Sequence, residues 1–451
     1  MIAPFKTAAL LLSSLLAAAT EPVSYYRQIA PIFKEFCNGC HHPGKLKAGL
    51  DLTTHASLLK GSEHGPIIKP GDSKGSPLMG EIVGDPPNMP EKGDPLTEEE
   101  VALIERWISE GAADDTPESR RNPYKLSAPP VYRAAPLISS MAFSPDGTVL
   151  AVAGYHEVLL RKGDGSELLG RLVGESPKIE SVAFSSDGKL LAVAGGAPAV
   201  FGEVQIWNVA ERKQLKALRV STDSAYGISF SPDDQRVAFG GADKSVRVLN
   251  VSDGRELMKF DNHSDWVFLT VFTLDGKRLL SGGRDRAMKL INVESGQFID
   301  DINKLLEPVV CFSRHPKQDL IAYGGALGNT RVYKISDNQQ RTAANNDNNL
   351  VKEFERQAAP IYSIAYSPDG GRLAVGSIGG DVRIYQTSDA ARTATLNGHA
   401  GAVFSINWHP AAPEIFTAGF DGKVRVFNPE NGELLREFIP VPIEESKVAA
   451  K

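Results

Sequence analysis

The chain has 451 residues, which is too long for one ordinary domain and predicts two or more. Its 49 Lys and Arg residues against 55 Asp and Glu residues give a net charge of −6, and 42% hydrophobic with 23% charged residues is typical of a folded soluble protein. Because no dense basic stripe is present, this composition argues against nucleic acid as the main partner.

The first twenty residues have the pattern of a signal peptide. Lys6 precedes an apolar stretch from Ala8 to Ala19, which ends in small residues. The stretch is shorter than the ~20 residues that span a bilayer, so a cleaved signal is favoured over a retained anchor. We therefore expect a periplasmic or otherwise exported protein without a membrane span.

The pentapeptide from Cys37 to His41 has the spacing of a covalent c-type haem site. Cys37 and Cys40 can reach two vinyl groups of one haem, and His41 can reach the iron. The rival interpretations are a thioredoxin-like pair, which needs a βαβ unit, a zinc knuckle, which needs a second Cys/His pair nearby, and a chance match. We expect one covalent haem c with His41 as the proximal ligand.

Two helices are predicted on either side of this site. Apolar residues at helical spacing precede Cys37, and Thr97 with Glu100 forms a capping box before a second apolar stripe. The distal iron ligand is then expected from the loop between them. Met89, between prolines, is the first choice, and Met79 is the alternative; His42, His55 and His64 are interpreted as surface residues. Iron with both His and Met ligands carries electrons and leaves no axial site for substrate.

Residues from about 24 to 115 resemble the planctomycete-type cytochrome c domain. The resemblance rests on CNGCHH at 37–42, GLDL at 49–52, IKPGD at 68–72, NMP at 88–90 and IERWISEGA at 104–112. It implies a small all-α domain that binds haem through Cys37, Cys40, His41 and Met89. Glu91 departs from the second proline that the family often has at that position.

From Ile138 onward an aromatic residue followed by a polar turn recurs at intervals of 40 to 54 residues. The anchors are Phe143, Phe184, Phe230, Phe272, Phe312, Tyr366 and Trp408. Each unit has strand signals, which predicts an all-β, seven-bladed propeller. Either residues 433–438 or residues 130–135 could supply the outer strand of the last blade. Cys311 lies in an apolar run and is expected to be a buried free thiol.

The repeats resemble the WD40 family, although the Trp-Asp dipeptide is never intact. The resemblance implies a buried histidine–aspartate hydrogen bond in two blades, between His263 and Asp285 and between His399 and Asp421. Four arginines recur on third strands, and a solvated strand face is favoured for them over an anionic docking face. They are Arg247, Arg331, Arg383 and Arg425.

The expected domain order is a signal peptide (1–20), a cytochrome c domain (21–115), a Pro-rich linker (116–136), a seven-bladed WD40 propeller (137–440) and a disordered tail (441–451). The favoured function is an exported electron carrier that binds redox proteins through its propeller or its haem edge, with no nucleic acid partner and no catalytic motif. One alternative is a propeller-based oxidoreductase whose cytochrome domain carries electrons away from the catalytic site. The other is a haem-dependent redox-sensing scaffold. Oligomeric state stays open.

Overall fold

The structure is a computed structural model that describes residues 21–42, 45–303, 306–335, 347 and 349–444. The predicted signal peptide, most of the polar insertion at 338–349 and most of the C-terminal tail lie outside the described residues. The chain divides into two compact units, residues 1–123 and 124–451.

The N-terminal unit combines short helices with one small sheet. A π-helical turn (Tyr25–Ile29) leads into α1 (Ala30–Phe36), and β1 (His41–His42) pairs with β2 (Lys45–Leu46). A 3-10 turn (Lys47–Gly49) follows, and then α2 (His55–Lys60), α3 (Pro77–Ile82), α4 (Glu98–Ser109) and α5 (Glu118–Arg121). The chain as a whole is mostly β, so the prediction of a small all-α cytochrome c domain in front of the propeller is wrong.

The predicted capping box before the second apolar stripe is confirmed. Thr97 caps α4, because its N–H donates to Glu100 Oε2 at 2.8 Å and its Oγ1 accepts from Glu100 N at 3.3 Å. The apolar stripe of α4 buries Ile104, Trp107 and Ile108 in the core of the unit.

The second unit is a ring of four-stranded antiparallel blades. The strands of blades 1 and 2 are β3 (Met141–Phe143), β4 (Val149–Ala153), β5 (Tyr155–Lys162), β6 (Leu168–Phe184), β7 (Leu190–Ala197), β8 (Phe201–Asn208) and β9 (Lys213–Ser221). Those of blades 3 and 4 are β10 (Ala225–Phe230), β11 (Arg236–Gly241), β12 (Val246–Asn250), β13 (Glu256–Phe260), β14 (Val267–Phe272), β15 (Arg278–Gly283), β16 (Met288–Asn292) and β17 (Phe298–Asp301).

Blades 5 to 7 repeat the same order. Their strands are β18 (Val309–Arg314), β19 (Leu320–Gly325), β20 (Thr330–Lys334), β21 (Leu350–Glu353), β22 (Ile361–Tyr366), β23 (Arg372–Ser377), β24 (Val382–Gln386), β25 (Arg392–Leu396), β26 (Val403–Trp408), β27 (Ile415–Gly419), β28 (Val424–Phe427) and β29 (Leu434–Phe438). The first strand of each blade lies innermost and contacts the first strand of the next blade. We call the rim at which these first strands begin the upper rim.

Strand β6 belongs to two blades. Its first half pairs with β5, its second half pairs with β7, and the seven strands β3 to β9 therefore form one continuous sheet. Each of the remaining five blades is a separate four-stranded sheet.

The anchor of blade 5 differs from the one expected. His315 N donates to Leu320 O at 2.9 Å, as Ser231 N donates to Arg236 O at 2.9 Å in blade 3. Arg314 therefore occupies the position that Phe230 has in blade 3, and Phe312 lies two residues earlier. The aromatic pattern found the right strand but not its register, because the register follows the turn hydrogen bond.

The ring closes by packing between blades 7 and 1. The outer strand of the last blade is β29, so the alternative in which residues 433–438 supply this strand is confirmed. Ile138, Met141 and Val152 of blade 1 share an apolar core with Phe416 and Val426 of blade 7.

The segment before blade 1 is held on the propeller. Tyr132 forms a parallel bridge with Ile443, and its hydroxyl donates to Glu157 Oε1 at 2.7 Å. Arg171 Nη2 donates to Pro130 O at 2.6 Å, and Arg171 also pairs with Glu157. The stretch around Pro130 and Tyr132 thus contributes to the closure without being a strand of blade 7.

We expect Tyr132→Phe to lower the free energy of unfolding of the propeller by about 1–3 kcal/mol, because the buried Glu157 carboxylate loses a hydrogen-bond donor. Urea unfolding followed by tryptophan fluorescence measures the change. Tyr155→Phe is the matched control, since Tyr155 is half exposed. Equal unfolding free energies for the two variants would contradict the role given to the Tyr132 hydroxyl.

Candidate functional site

The two predicted haem-binding cysteines lie where α1 ends. Cys37 is the residue that follows α1, and its carbonyl accepts hydrogen bonds from Cys40 N and His41 N, both at 3.1 Å. This turn brings the pentapeptide together. Both thiols are free and half-buried, and Lys45 Nζ lies 3.5 Å from Cys40 Sγ. Burial raises the pKa of Cys37 to about 11, so its thiol is neutral at neutral pH.

The other two predicted ligands lie in the same unit. His41 Nδ1 is buried and has no hydrogen-bond partner. Met89 packs against the same apolar core as Cys37, and so does Met79, the alternative ligand. The two thiols, the imidazole and the thioether are therefore of the types that hold a covalent haem c. Among the described residues, His, Cys, Asp and Glu side chains do not form a metal-binding cluster of three or more.

His55 is a structural residue of this unit and not a surface histidine. Its ring lies 4.9 Å from the ring of Tyr25 and 5.9 Å from that of Trp107. Its Nε2 is 2.8 Å from Ala112 O, a contact that joins α2 to the chain after α4. His64 is exposed, as expected.

The histidine–aspartate pairs of the propeller are confirmed. His263 Nδ1 is 2.8 Å from Asp285 Oδ2, and its Nε2 is 2.7 Å from Ser281 Oγ. His399 Nδ1 is 3.1 Å from Asp421 Oδ1, and its Nε2 is 2.8 Å from Thr417 Oγ1. Each histidine thus links a loop of the upper rim to the second strand of its blade, which is a structural role.

The third-strand arginines are neither solvated nor available to anions. The side chains of Arg247 and Arg425 are 8% and 7% exposed. Arg247 pairs with Asp243 at 2.7 Å, Arg425 with Asp421 at 2.6 Å, and Arg383 with Asp381 at 3.1 Å. Outer-strand carboxylates add second partners, such as Glu437 at 3.2 Å from Arg425. Both interpretations offered for these residues are wrong, because the carboxylates neutralise them inside the blade.

The upper rim of blades 4 to 7 carries an exposed apolar surface that sequence reasoning missed. We call this set the apolar arc, and its members are Trp266, Leu327, Ile378 and Phe420, with exposures of 39%, 54%, 44% and 62%. Ile378 N donates to Pro360 O at 3.0 Å, and Phe420 N donates to Ala402 O at 2.9 Å, so both loops lie beside the start of a first strand. Since one residue comes from each blade, no local run of apolar residues signals the surface.

Aromatic rings also line the mouth of the central channel. Tyr226, Phe268, Tyr362 and Phe404 are each the second residue of a first strand, and all four line the channel. The ring of Tyr226 is 5.9 Å from that of Phe268, and the ring of Tyr362 is 5.5 Å from that of Phe404. Cys311 lines the same channel, and burial raises the pKa of its thiol, so the predicted buried free thiol is confirmed.

Family models match three parts of the chain. The model for the nucleolar protein 10-like N-terminal domain matches residues 270–449, and the model for the WD domain, G-beta repeat, matches 212–250. The model for planctomycete cytochrome C matches 37–93.

Curated relatives match over short stretches. A periodic tryptophan protein 2 homolog of Dictyostelium discoideum is 33% identical over 79 residues, which is 17% of this chain and 9% of the relative. Periodic tryptophan protein 2 of Saccharomyces cerevisiae is 25% identical over 131 residues, 29% of this chain and 13% of the relative. Telomerase protein component 1 of Mus musculus is 25% identical over 118 residues, 26% of this chain and 4% of the relative. The chain therefore spans only a small part of the length of these relatives.

These comparisons correct three predictions. The function of an exported electron carrier, with its propeller oxidoreductase and redox-sensing alternatives, is wrong, because the relatives are periodic tryptophan proteins and the longest family match is to a nucleolar protein's domain. The description of the chain as an electron-transfer cytochrome is wrong for the same reason. Periplasmic or other export conflicts with the eukaryotic relatives and with the match to the nucleolar protein 10-like model, and it is not retained.

We expect Asp421→Asn to lower the free energy of unfolding by about 2 kcal/mol at neutral pH. Burial opposes ionisation, but the hydrogen bond from Arg425 and the charge of His399 outweigh it and lower the pKa of Asp421 from 3.8 to about 2. A depressed folded-state pKa stabilises the protein above pH 3.8, and that stability is lost as the pH falls to about 2.

The difference between wild type and Asp421→Asn should therefore shrink steadily between pH 4 and pH 2, as measured by urea unfolding at each pH. Asp253→Asn is the control, because the Asp253 carboxylate lies in an exposed turn, where it accepts a hydrogen bond from the local backbone N–H of Arg255. A difference that does not change with pH would show that the charge of Asp421 contributes nothing.

No helix among the described residues is long and apolar enough to cross a membrane. The fold, the histidine–aspartate pairs and the family matches all identify the second unit as a β-propeller. The second unit is therefore a β-propeller with matches to the WD40 and nucleolar protein 10-like models, and the segment before it matches the planctomycete cytochrome C model.

Proposed function

We propose that this chain is a protein-binding scaffold whose propeller docks a partner protein on its upper rim. The observation that carries the proposal is the apolar arc beside an aromatic channel mouth. Isolated exposed hydrophobic residues are ordinary, but four on one rim around a concave, aromatic-lined centre have the character of an interaction site.

The charges of the propeller support binding over catalysis. The arginines of the third strands and the histidines of blades 4 and 7 are held by carboxylates and hydroxyl groups within their own blades. Side chains that are committed in this way hold the loops in place and present no unused acid or base. One relative is named as a protein component of telomerase, which is in keeping with a role in assembly.

Affinity capture with the full chain tests the proposal. The double variant Ile378→Ser/Phe420→Ser removes half of the apolar arc, and Leu257→Ser/Leu434→Ser removes exposed leucines from outer strands as a matched control. We expect a set of proteins from an extract of the source cells to be recovered by wild type and by the control, and to be lost with the arc variant. Capture that is the same for all three chains would contradict docking on the upper rim.

We also propose, as a separate statement about the cofactor alone, that the chain carries one covalent haem c. Cys37 and Cys40 would hold its two thioether bonds, and His41 and Met89 would be its axial ligands. The proposal is supported by the cytochrome C match, the two free thiols and the unpartnered His41 Nδ1. A haem iron with His and Met ligands has both axial positions filled.

A pyridine haemochrome assay on the chain expressed with haem-maturation machinery tests this proposal. We expect one c-type haem per chain for wild type and for the control Cys311→Ser, and none for Cys37→Ser/Cys40→Ser. Met89→Ala, but not Met79→Ala, should alter the axial ligation seen in the spectrum of the oxidised form. A wild-type chain without covalent haem would refute the cofactor proposal and leave the docking proposal unaffected.

A further inference from the structure

The partner's chemistry can be inferred from the charges that surround the apolar arc. The inference rests on the proposed docking function and specifies what the upper rim of blades 4 to 7 recognises. Three observations carry it: the composition of the arc, the pairing of the carboxylates on this rim, and two arginines without a carboxylate partner.

Carboxylates on this rim are already committed. Asp265 lies 3.7 Å from Arg284, whose guanidinium carbon is 5.6 Å from the centre of the Trp266 ring. Glu355 pairs with Arg383 at 3.2 Å and with Arg392 at 3.4 Å. Asp285, Asp381 and Asp421 are held by the histidines and third-strand arginines described above. The buried Glu307 accepts hydrogen bonds from Leu327 N and Asn329 Nδ2 and lies 3.9 Å from Arg331. A cationic partner would have to share or break one of these pairs.

Two exposed arginines on the same rim are not neutralised. In the part of the chain that the structure describes, neither Arg286 nor Arg356 has a carboxylate within the 4.0 Å of an ion pair. Arg286 lies in the same blade-4 loop as Arg284. Arg356 Nε donates to Leu327 O at 3.0 Å, which places the guanidinium beside a member of the apolar arc. The unneutralised charge next to the arc is therefore positive.

The arc itself favours a protein over a nucleic acid. Leu327 and Ile378 are aliphatic, and they offer no flat face on which a base can stack. Aliphatic and aromatic side chains around a channel mouth suit insertion of similar side chains from a partner. Over the described residues, the rim also lacks the dense basic stripe that phosphate backbones require.

We propose that the upper rim of blades 4 to 7 binds an acidic peptide segment that carries large apolar side chains. The apolar side chains of the segment contact the apolar arc and the channel mouth. Its Asp or Glu side chains pair with Arg286 and Arg356. Because exposed ion pairs add modest affinity and are screened by salt, the apolar contacts supply most of the affinity and the arginines supply the selectivity.

Selection from a phage-displayed library of random dodecapeptides on the immobilised full chain tests the proposal. We expect the selected peptides to be enriched in Asp and Glu together with Leu, Phe or Trp, relative to selection on Ile378→Ser/Phe420→Ser. A synthetic peptide of the consensus sequence should bind wild type, and Arg286→Gln/Arg356→Gln should weaken that binding by about tenfold at low salt. The same double variant should remove most of the salt dependence of binding.

Arg212→Gln/Arg255→Gln is the matched control, because both arginines are exposed and lie in turns at the far ends of third strands. It should leave the affinity of the peptide unchanged. Equal thermal unfolding midpoints for the four chains establish that the variants fold. An acidic consensus whose affinity is equal for wild type and for the Arg286/Arg356 variant would overturn the role of these arginines.

Two other outcomes would overturn the proposal. A consensus rich in Lys and Arg would reverse the sign of the inferred partner. Binding of a single-stranded oligo-dT probe that is lost in the arc variant would assign the surface to nucleic acid. Arc-dependent capture from the extract combined with no acidic enrichment in the library would refute this inference while the docking function stands, whereas loss of both would refute the two together.

Discussion

The packing of blade 7 against blade 1 is the contact on which the rest of the propeller depends. Every other blade is joined to its neighbours by a chain connection on both sides, but the first and last blades meet only through side chains and hydrogen bonds. Their shared apolar core and the hydrogen bond from Met141 N to Ser405 Oγ at 3.0 Å close the ring. Arg161 Nη1, which donates to Pro440 O at 2.7 Å, holds the chain after the last strand against blade 1.

Closure also fixes the upper rim. The four members of the apolar arc come from four blades, so their relative positions are set by the ring as a whole and not by any one loop. The histidine–aspartate pairs act at a shorter range, because they tie individual rim loops to second strands. A preorganised rim loses little conformational entropy when a partner binds, which is the general advantage of a rigid scaffold over a flexible one.

Local patterns predicted much of this fold. The capping box at Thr97 and the two histidine–aspartate pairs could both be predicted from neighbouring residues or from a fixed repeat spacing. The anchor position of Arg314 could not be predicted, because Arg314 stands where the other blades have an aromatic residue. Only a backbone hydrogen bond defines the register of its strand. The burial of Arg247 and Arg425 was missed although an aspartate four residues earlier gives a signal for each pair. The apolar arc left no sequence signal, since its residues are 42 to 61 positions apart along the chain.

The shared strand β6 has a mechanical consequence. Each of blades 3 to 7 is a separate sheet that a loop joins to the preceding blade along the chain. Blades 1 and 2 are joined instead by the strand itself, which pairs with β5 over residues 168–173 and at residue 178, and with β7 over residues 178–184. A peptide bond cut near residue 178 would therefore disturb the strand pairing of two blades at once.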